Sequence, residues 1–162
     1  MMKRAPVRII WAFSGMLGLV STGGVSAHHG FSGRYDLSSP VWIEGQVVSG
    51  YFGQPHAELT IQVPDNLAVP AIRPDMAAAA SFLNADRLVV RPETRGSRIK
   101  VELPPTQQYF SLSGKIAVGD RVAVIAVRNC DTPHQLNAQW LRLPSGAIVA
   151  RSGAMSYMVK SC

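Results

Sequence analysis

Arg121-Val122-Ala123-Val124-Ile125-Ala126-Val127 is a nearly continuous apolar run, rich in β-branched residues. A short run that is apolar at both parities reads as a strand buried on both faces, which places it at the centre of a sheet. Val118-Gly119-Asp120 precedes it as a turn. Downstream, Gln139-Trp140-Leu141-Arg142-Leu143 and Ala147-Ile148-Val149-Ala150 flank Pro144-Ser145-Gly146, a hairpin signal. Upstream, Val41-Trp42-Ile43-Glu44-Gly45-Gln46-Val47-Val48 is dense in β-formers. It puts Val41, Ile43 and Val47 on one face and Trp42, Glu44, Gln46 and Val48 on the other. Gly45 and Gly50 interrupt it, as glycines do where a strand bends or bulges. Ala57 to Val63 alternates cleanly with Leu59, Ile61 and Val63 inward, and the turn between these two strands holds Gly53, Gln54, Pro55 and His56. Arg98 to Leu103 alternates again.

Between them, residues 64–97 read as an insertion, broken by Pro64, Pro70, Pro74 and Pro92. Asp75 is placed to N-cap a short helix over Met76 to Leu83, although so short an alanine run needs packing to hold. Thr106 to Ser113 has room for one or two helical turns. The chain has 162 residues, 47% hydrophobic and 16% charged, which suits one folded domain and excludes a disordered chain. About six strands and one or two short helices predict an all-β fold with minor α content. A small closed or half-closed barrel fits best, because closure removes sheet edges.

The N-terminal segment is a different kind of sequence. Lys3, Arg4 and Arg8 precede an apolar stretch from Ile9 to Val20, and Val25-Ser26-Ala27 fits a small-x-small cleavage site. These are the three parts of a secretory signal peptide, residues 1–27. The apolar run is short for a membrane span, so no stable membrane insertion is expected after cleavage. The mature domain is then 28–162, in the periplasm of a Gram-negative bacterium or secreted. Cleavage removes three of the 16 basic residues and no acid, leaving a net charge near +3. With no basic patch carrying interleaved aromatics, nucleic acid is not an expected partner. Cys130 and Cys162 in an oxidising compartment are expected to pair. The alternative is a redox pair or soft metal ligands, against which stands the lack of a Cys-x-x-Cys motif.

All four histidines fall in the mature chain. Cleavage after Ala27 makes His28 the first residue, followed by His29. An N-terminal histidine offers its α-amino group and its ring Nδ1 to one ion, and one further imidazole completes a three-nitrogen set suited to tetragonal Cu(II), with Zn(II) second. His56 after Pro55 and His134 after Pro133 are the candidate partners. Asp36, Glu58 and Asp131 are the acids nearest in sequence that could orient an imidazole. The plainer alternative is a polar chain end and two turn histidines, on a binding module that takes a small ligand or a protein through Trp42, Tyr51 and Trp140. No Gly-x-Ser-x-Gly elbow, phosphate loop or carboxylate pair is present, so no catalytic residue is assigned and the protein reads as a non-enzyme.

The run Ala27-His28-His29-Gly30-Phe31, then Tyr35-Asp36, the Glu-Gly-Gln-Val of the first strand and Gln54-Pro55-His56-Ala57 resembles a family of small secreted bacterial proteins known only as a domain of unknown function. Val118-Gly119-Asp120-Arg121-Val122 is similar to the family's later Gly-Asp turn and strand, and Pro144-Ser145-Gly146 to its closing hairpin. The resemblance implies an oligonucleotide/oligosaccharide-binding (OB)-like barrel, an exported setting and His28, His29 and His56 as the motif histidines. It implies no activity. Gly30 stands where the family has Ser, and Gln54 where it has Asn. The segment 64–97 and the cysteine pair lie outside the family pattern, and His134 has no counterpart in it.

Overall fold

A computed structural model describes residues 33–151, apart from 78, 80 and 81, and residues 157–162. The expected signal segment, His28 and His29 lie outside the described residues. Seven strands are described: β1 (Tyr35–Tyr51), β2 (Ala57–Gln62), β3 (Arg98–Leu103), β4 (Arg121–Asn129), β5 (Leu136–Arg142), β6 (Ile148–Ala150) and β7 (Met158–Val159). A four-residue helix, α1 (Gln107–Phe110), lies between β3 and β4. No helix among the described residues is long and apolar enough to cross a membrane.

Strands pair in the order β2-β3-β5-β4-β1, and β1 returns to β2, which closes a five-stranded barrel. This is the OB-like barrel, with the short helix between its third and fourth strands. Four of the five seams are antiparallel. The closing seam, β3 with β5, is parallel and rests on the register pair Glu102 and Asn137. The 17 residues of β1 make closure possible, because its first part pairs with β4 and its second with β2. Irregularities between Asp36 and Val41 and between Val47 and Ser49 bend the strand. Gly45 is needed where the bent strand crosses β2, since a Cβ there would lie 2.1 Å from the Gln62 carbonyl oxygen. The inner face collects Ile43, Leu59, Ile61, Val101, Leu103, Val124 and Leu141, all fully buried. The central strand is Arg121–Asn129, buried on both faces as its composition requires. Gly146, at φ +84°, closes the β5–β6 hairpin at Pro144-Ser145-Gly146.

The excursion 64–97 does more than interrupt the sheet. Val89 bridges to Val41, the Trp42 backbone N–H donates to the Val89 carbonyl at 2.8 Å, and the Val89 N–H donates to the Pro40 carbonyl. It lies over the outer face of the barrel and buries residues there. Trp42 and Trp140 are each 1% exposed, with ring centroids 6.0 Å apart, and the Trp140 indole N–H donates to the Asp75 carbonyl at 2.9 Å. The expected helix over Met76 to Leu83 does not form among its described residues, which carry turns and bends. Asp75 still accepts from the Ala77 N–H at 2.8 Å. Met76, Ala79, Phe82 and Leu83 pack against the core without a helix, and one capped turn does not meet the cost of nucleating one. Single 3-10 turns at Ala85–Arg87 and Pro92–Thr94 supply the local order instead.

Cys130 and Cys162 form the expected disulfide, with Cα atoms 5.5 Å apart and a sequence separation of 32. It ties the end of β4 to the chain end beside β7, which pairs in parallel with Tyr35 and Asp36 of β1. On loop entropy it contributes on the order of 3–4 kcal/mol.

Asp36 gives this corner a pH dependence. Burial works to raise its pKa. Two bonds from Ser38, at 2.8 and 2.6 Å, and the Arg128 guanidinium at 3.4 Å outweigh burial and hold the carboxyl below the usual range. A carboxyl depressed on folding adds stability that is complete above its unfolded pKa, about 3.9, and lost as pH falls through the folded value. The stability of the parent to urea is therefore expected to fall on acidification below about pH 4 more steeply than that of Asp36→Asn. Parallel pH profiles for the two proteins would contradict this role.

Candidate functional site

The β1–β2 loop, residues 52–56, ends at His56, directly before β2 begins. The β4–β5 loop, residues 130–135, carries His134 and Gln135 directly before β5 begins. The starts of β2 and β5 both pair with the end of β3, through Glu58 with Glu102 and Glu102 with Asn137. Two histidines 78 residues apart in sequence are thus brought to one end of the barrel, on either side of Glu102. In OB barrels the face of β2 and β3 and the loops at its edges form the usual ligand surface.

Glu102 is the residue on which this end converges. Its two carboxylate oxygens accept from the Gln135 side-chain N–H2 at 3.1 and 3.0 Å. Its pKa is raised, with burial as the main cause, opposed by the Gln135 bond and by the charges of His56 and Lys100. Among the described residues no lysine or arginine pairs with it: the nearest cation in register, Lys100, is held by Glu58 at 2.6 Å. Gln135 extends the polar chain inward, accepting from Asn129 Nδ2 at 2.6 Å and from the Thr132 hydroxyl at 3.0 Å. Tyr35 lies behind, its phenol pushed up to about 12 by burial first and by Glu102 second.

An open hollow of about 420 Å³ is lined by Lys100, Glu102, Thr132, His134, Gln135 and Leu136. A neighbouring one of about 290 Å³ shares Lys100, His134 and Leu136 and adds Arg91 and Arg98. The chain also enters the barrel here. The Cys130 N–H donates to the Arg34 carbonyl at 2.7 Å, Arg34 pairs with Asp131 at 3.6 Å, and Gly33 lies against Asn129.

The residues expected from sequence separate into groups. His56 and His134 share the loop end of the barrel. No cluster of three or more His, Cys, Asp or Glu able to hold a metal occurs among the described residues. Trp42 and Trp140 are core residues under the excursion, so they offer no contact surface in this conformation. Tyr51 is half exposed and donates its hydroxyl to the Gln54 carbonyl within the β1–β2 loop, whose Gln54–Pro55 bond is cis. The acids expected to orient an imidazole have other partners: Asp36 has Ser38 and Arg128, Glu58 has Lys100, and Asp131 has Arg34. Sequence reading passed over Glu102, which sits in a regular alternating strand like any surface acid. Only the parallel closure of β3 on β5 brings it between the loops.

No family model matches the chain, and no curated protein matches it. It is similar to a chain in the crystal structure of a complex of TiaS with an isoleucine tRNA, AMPCPP and agmatine, at 16% identity and a TM-score of 0.37. That similarity covers 67% of this chain and 20% of the other, so this protein spans about a fifth of that chain's length. A likeness at this level carries no inference about ligand or activity.

Proposed function

We propose that this is an exported, non-catalytic OB-type binding protein that takes a Cu(II) ion, with Zn(II) second, at the loop end of its barrel. His28 supplies its amine and ring nitrogen after signal cleavage, His56 or His134 supplies a further imidazole, and His29 is optional. The observation that supports this reading most is the placement of His56 and His134 on either side of Glu102, at the end where the chain enters. Five residues lead from His28 to Gly33, an extended reach of about 17 Å, and Gly33 lies beside Asn129 and Asp131 where the β4–β5 loop begins. The disulfide suits an oxidising compartment. The resemblance to exported proteins with the same histidine pattern points the same way.

The test is a Cu(II) titration against a competing chelator, on protein that begins at His28. His56→Ala and His134→Ala are each expected to fold, and the variant that loses the true ligand to bind about 10- to 100-fold more weakly. Parent affinity retained in both single variants would reject the site.

A second reading, a metal-free module for a small ligand or a protein, is favoured by the two adjoining hollows beside β3. It no longer rests on Trp42 and Trp140, which are buried. Its contacts are Lys100, His134 and Leu136, and its mark is ligand binding that survives removal of metal.

A further inference from the structure

We propose that the hollow between β3, the Pro92–Thr94 turn and the β4–β5 loop binds the oxyanion group of a small molecule, a carboxylate or a phosphate, through Arg91 and Arg98. This rests on the metal-free reading above and names the chemistry of its ligand. The first support is the lining. The hollow, of about 290 Å³, is faced by Arg91, Arg98, Lys100 and His134 against one acid, Glu93. Three parts of the chain bring them there. Arg98 and Lys100 alternate on the outward side of β3. Arg91 leads into the 3-10 turn at Pro92–Thr94, and His134 comes from the β4–β5 loop.

The second support is how these cations are engaged. Arg98 has no acidic partner among the described residues; its Nε donates to the Gln62 side-chain oxygen at 3.3 Å, a neutral acceptor that leaves its charge whole. Arg91 gives its Nε to Glu93, and its terminal nitrogens have no acceptor among the described residues. Lys100 is held by Glu58 and adds little. Two guanidinium groups on one hollow, each with its outer N–H groups unspent, match the fork by which arginine meets carboxylate and phosphate oxygens. The third support is shape. Ile99, Pro133 and Leu136 give the ligand's body an apolar wall, and the adjoining hollow of about 420 Å³ gives it room. Glu102 lines that second hollow, four residues along β3 from Arg98, about 13 Å at the rise of a strand. It repels a second anionic group, so the ligand carries its charge at one end. The outward row of Glu58, Thr60 and Gln62 opposite Glu102, Lys100 and Arg98 holds no aromatic ring on which bases could stack, which sets a small anion apart from single-stranded nucleic acid.

The experiment titrates protein freed of metal with butyl phosphate, pentanoate and neutral pentanol, followed by amide chemical shifts in nuclear magnetic resonance. One or both anions are expected to shift the amides of Thr94, Ile99 and His134 saturably, and pentanol to leave them in place. The tighter of the two anions assigns the site to phosphate or to carboxylate. Arg91→Gln and Arg98→Gln are expected to fold and to bind the anion about 10- to 100-fold more weakly. Lys115→Gln, which removes the same charge from a different hollow beside α1, is expected to bind as the parent does. Parent affinity in Arg98→Gln, an equal loss in Lys115→Gln, or pentanol bound as tightly as the anions would overturn the anion site and leave the metal-free ligand reading standing. A hollow whose amides respond to none of the three probes would overturn both.

Discussion

Alanine at Trp140 is expected to destabilise the protein by about 3–5 kcal/mol, the range for removing a large aromatic side chain from a packed core. Trp140 is 1% exposed, packs on Trp42 and donates its indole N–H to the Asp75 carbonyl. It therefore works in two layers at once, stiffening β5 and fastening the 64–97 excursion over the barrel. Trp140→Phe keeps most of the volume and loses the donor, so it is expected to cost closer to about 1 kcal/mol for the hydrogen bond, plus a smaller packing loss. Urea unfolding of the three proteins reads both differences. A loss below about 1 kcal/mol for the alanine variant would mean that the excursion does not seal this face. In that case Trp42 and Trp140 would return as candidate contact residues.

The other large effect concerns the chain start. Acetylating the α-amine of a chain that begins at His28 keeps every residue of the barrel but turns that amine into an amide with no free amine ahead of it, which cannot close the amine–imidazole chelate ring. Cu(II) affinity is expected to fall on the order of 100-fold. The fold and the melting temperature of the apo protein are expected to stay unchanged. Equal affinity in the acetylated and unacetylated proteins would exclude the amine as a ligand and leave the imidazoles as the donors under consideration.

Most of the barrel could be read from the residues because its strands announce themselves locally. β3 begins and ends at the residues its alternation marks. β4 has the continuous apolar composition of a strand covered on both sides. The turns at Gly119 and Gly146 carry glycines at φ +92° and +84°, where other residues are strained. What could not be read depends on contacts distant in sequence. The outer face of β1 looks like a mixed surface in which Trp42 is available to a ligand, yet it is buried because Val89 and Asp75, tens of residues away, bring the excursion over it. The helix expected after Asp75 fails for a related reason. Its cap forms, but the described residues of the segment carry turns and bends and pack their apolar side chains on the core.

The site shows the same division. His56 and His134 were legible as proline-braced turn histidines, and each does sit in a loop. That both loops lie at one end follows from the closure of β3 on β5. A single register pair carries that closure, and no local pattern signals it. Glu102 is the clearest case, since the acids close to the histidines in sequence are engaged elsewhere. The acid that neighbours His56 across the β2–β3 pair is 46 residues further on.

The most direct test of the binding reading is the metal content and intact mass of protein expressed with its own residues 1–27 and purified without an N-terminal tag. The expected result is a mature chain beginning at His28 that carries close to one equivalent of copper and loses it when His28 is replaced by alanine. A different first residue, or a chain beginning at His28 that takes up no copper or zinc when either is supplied, would contradict it.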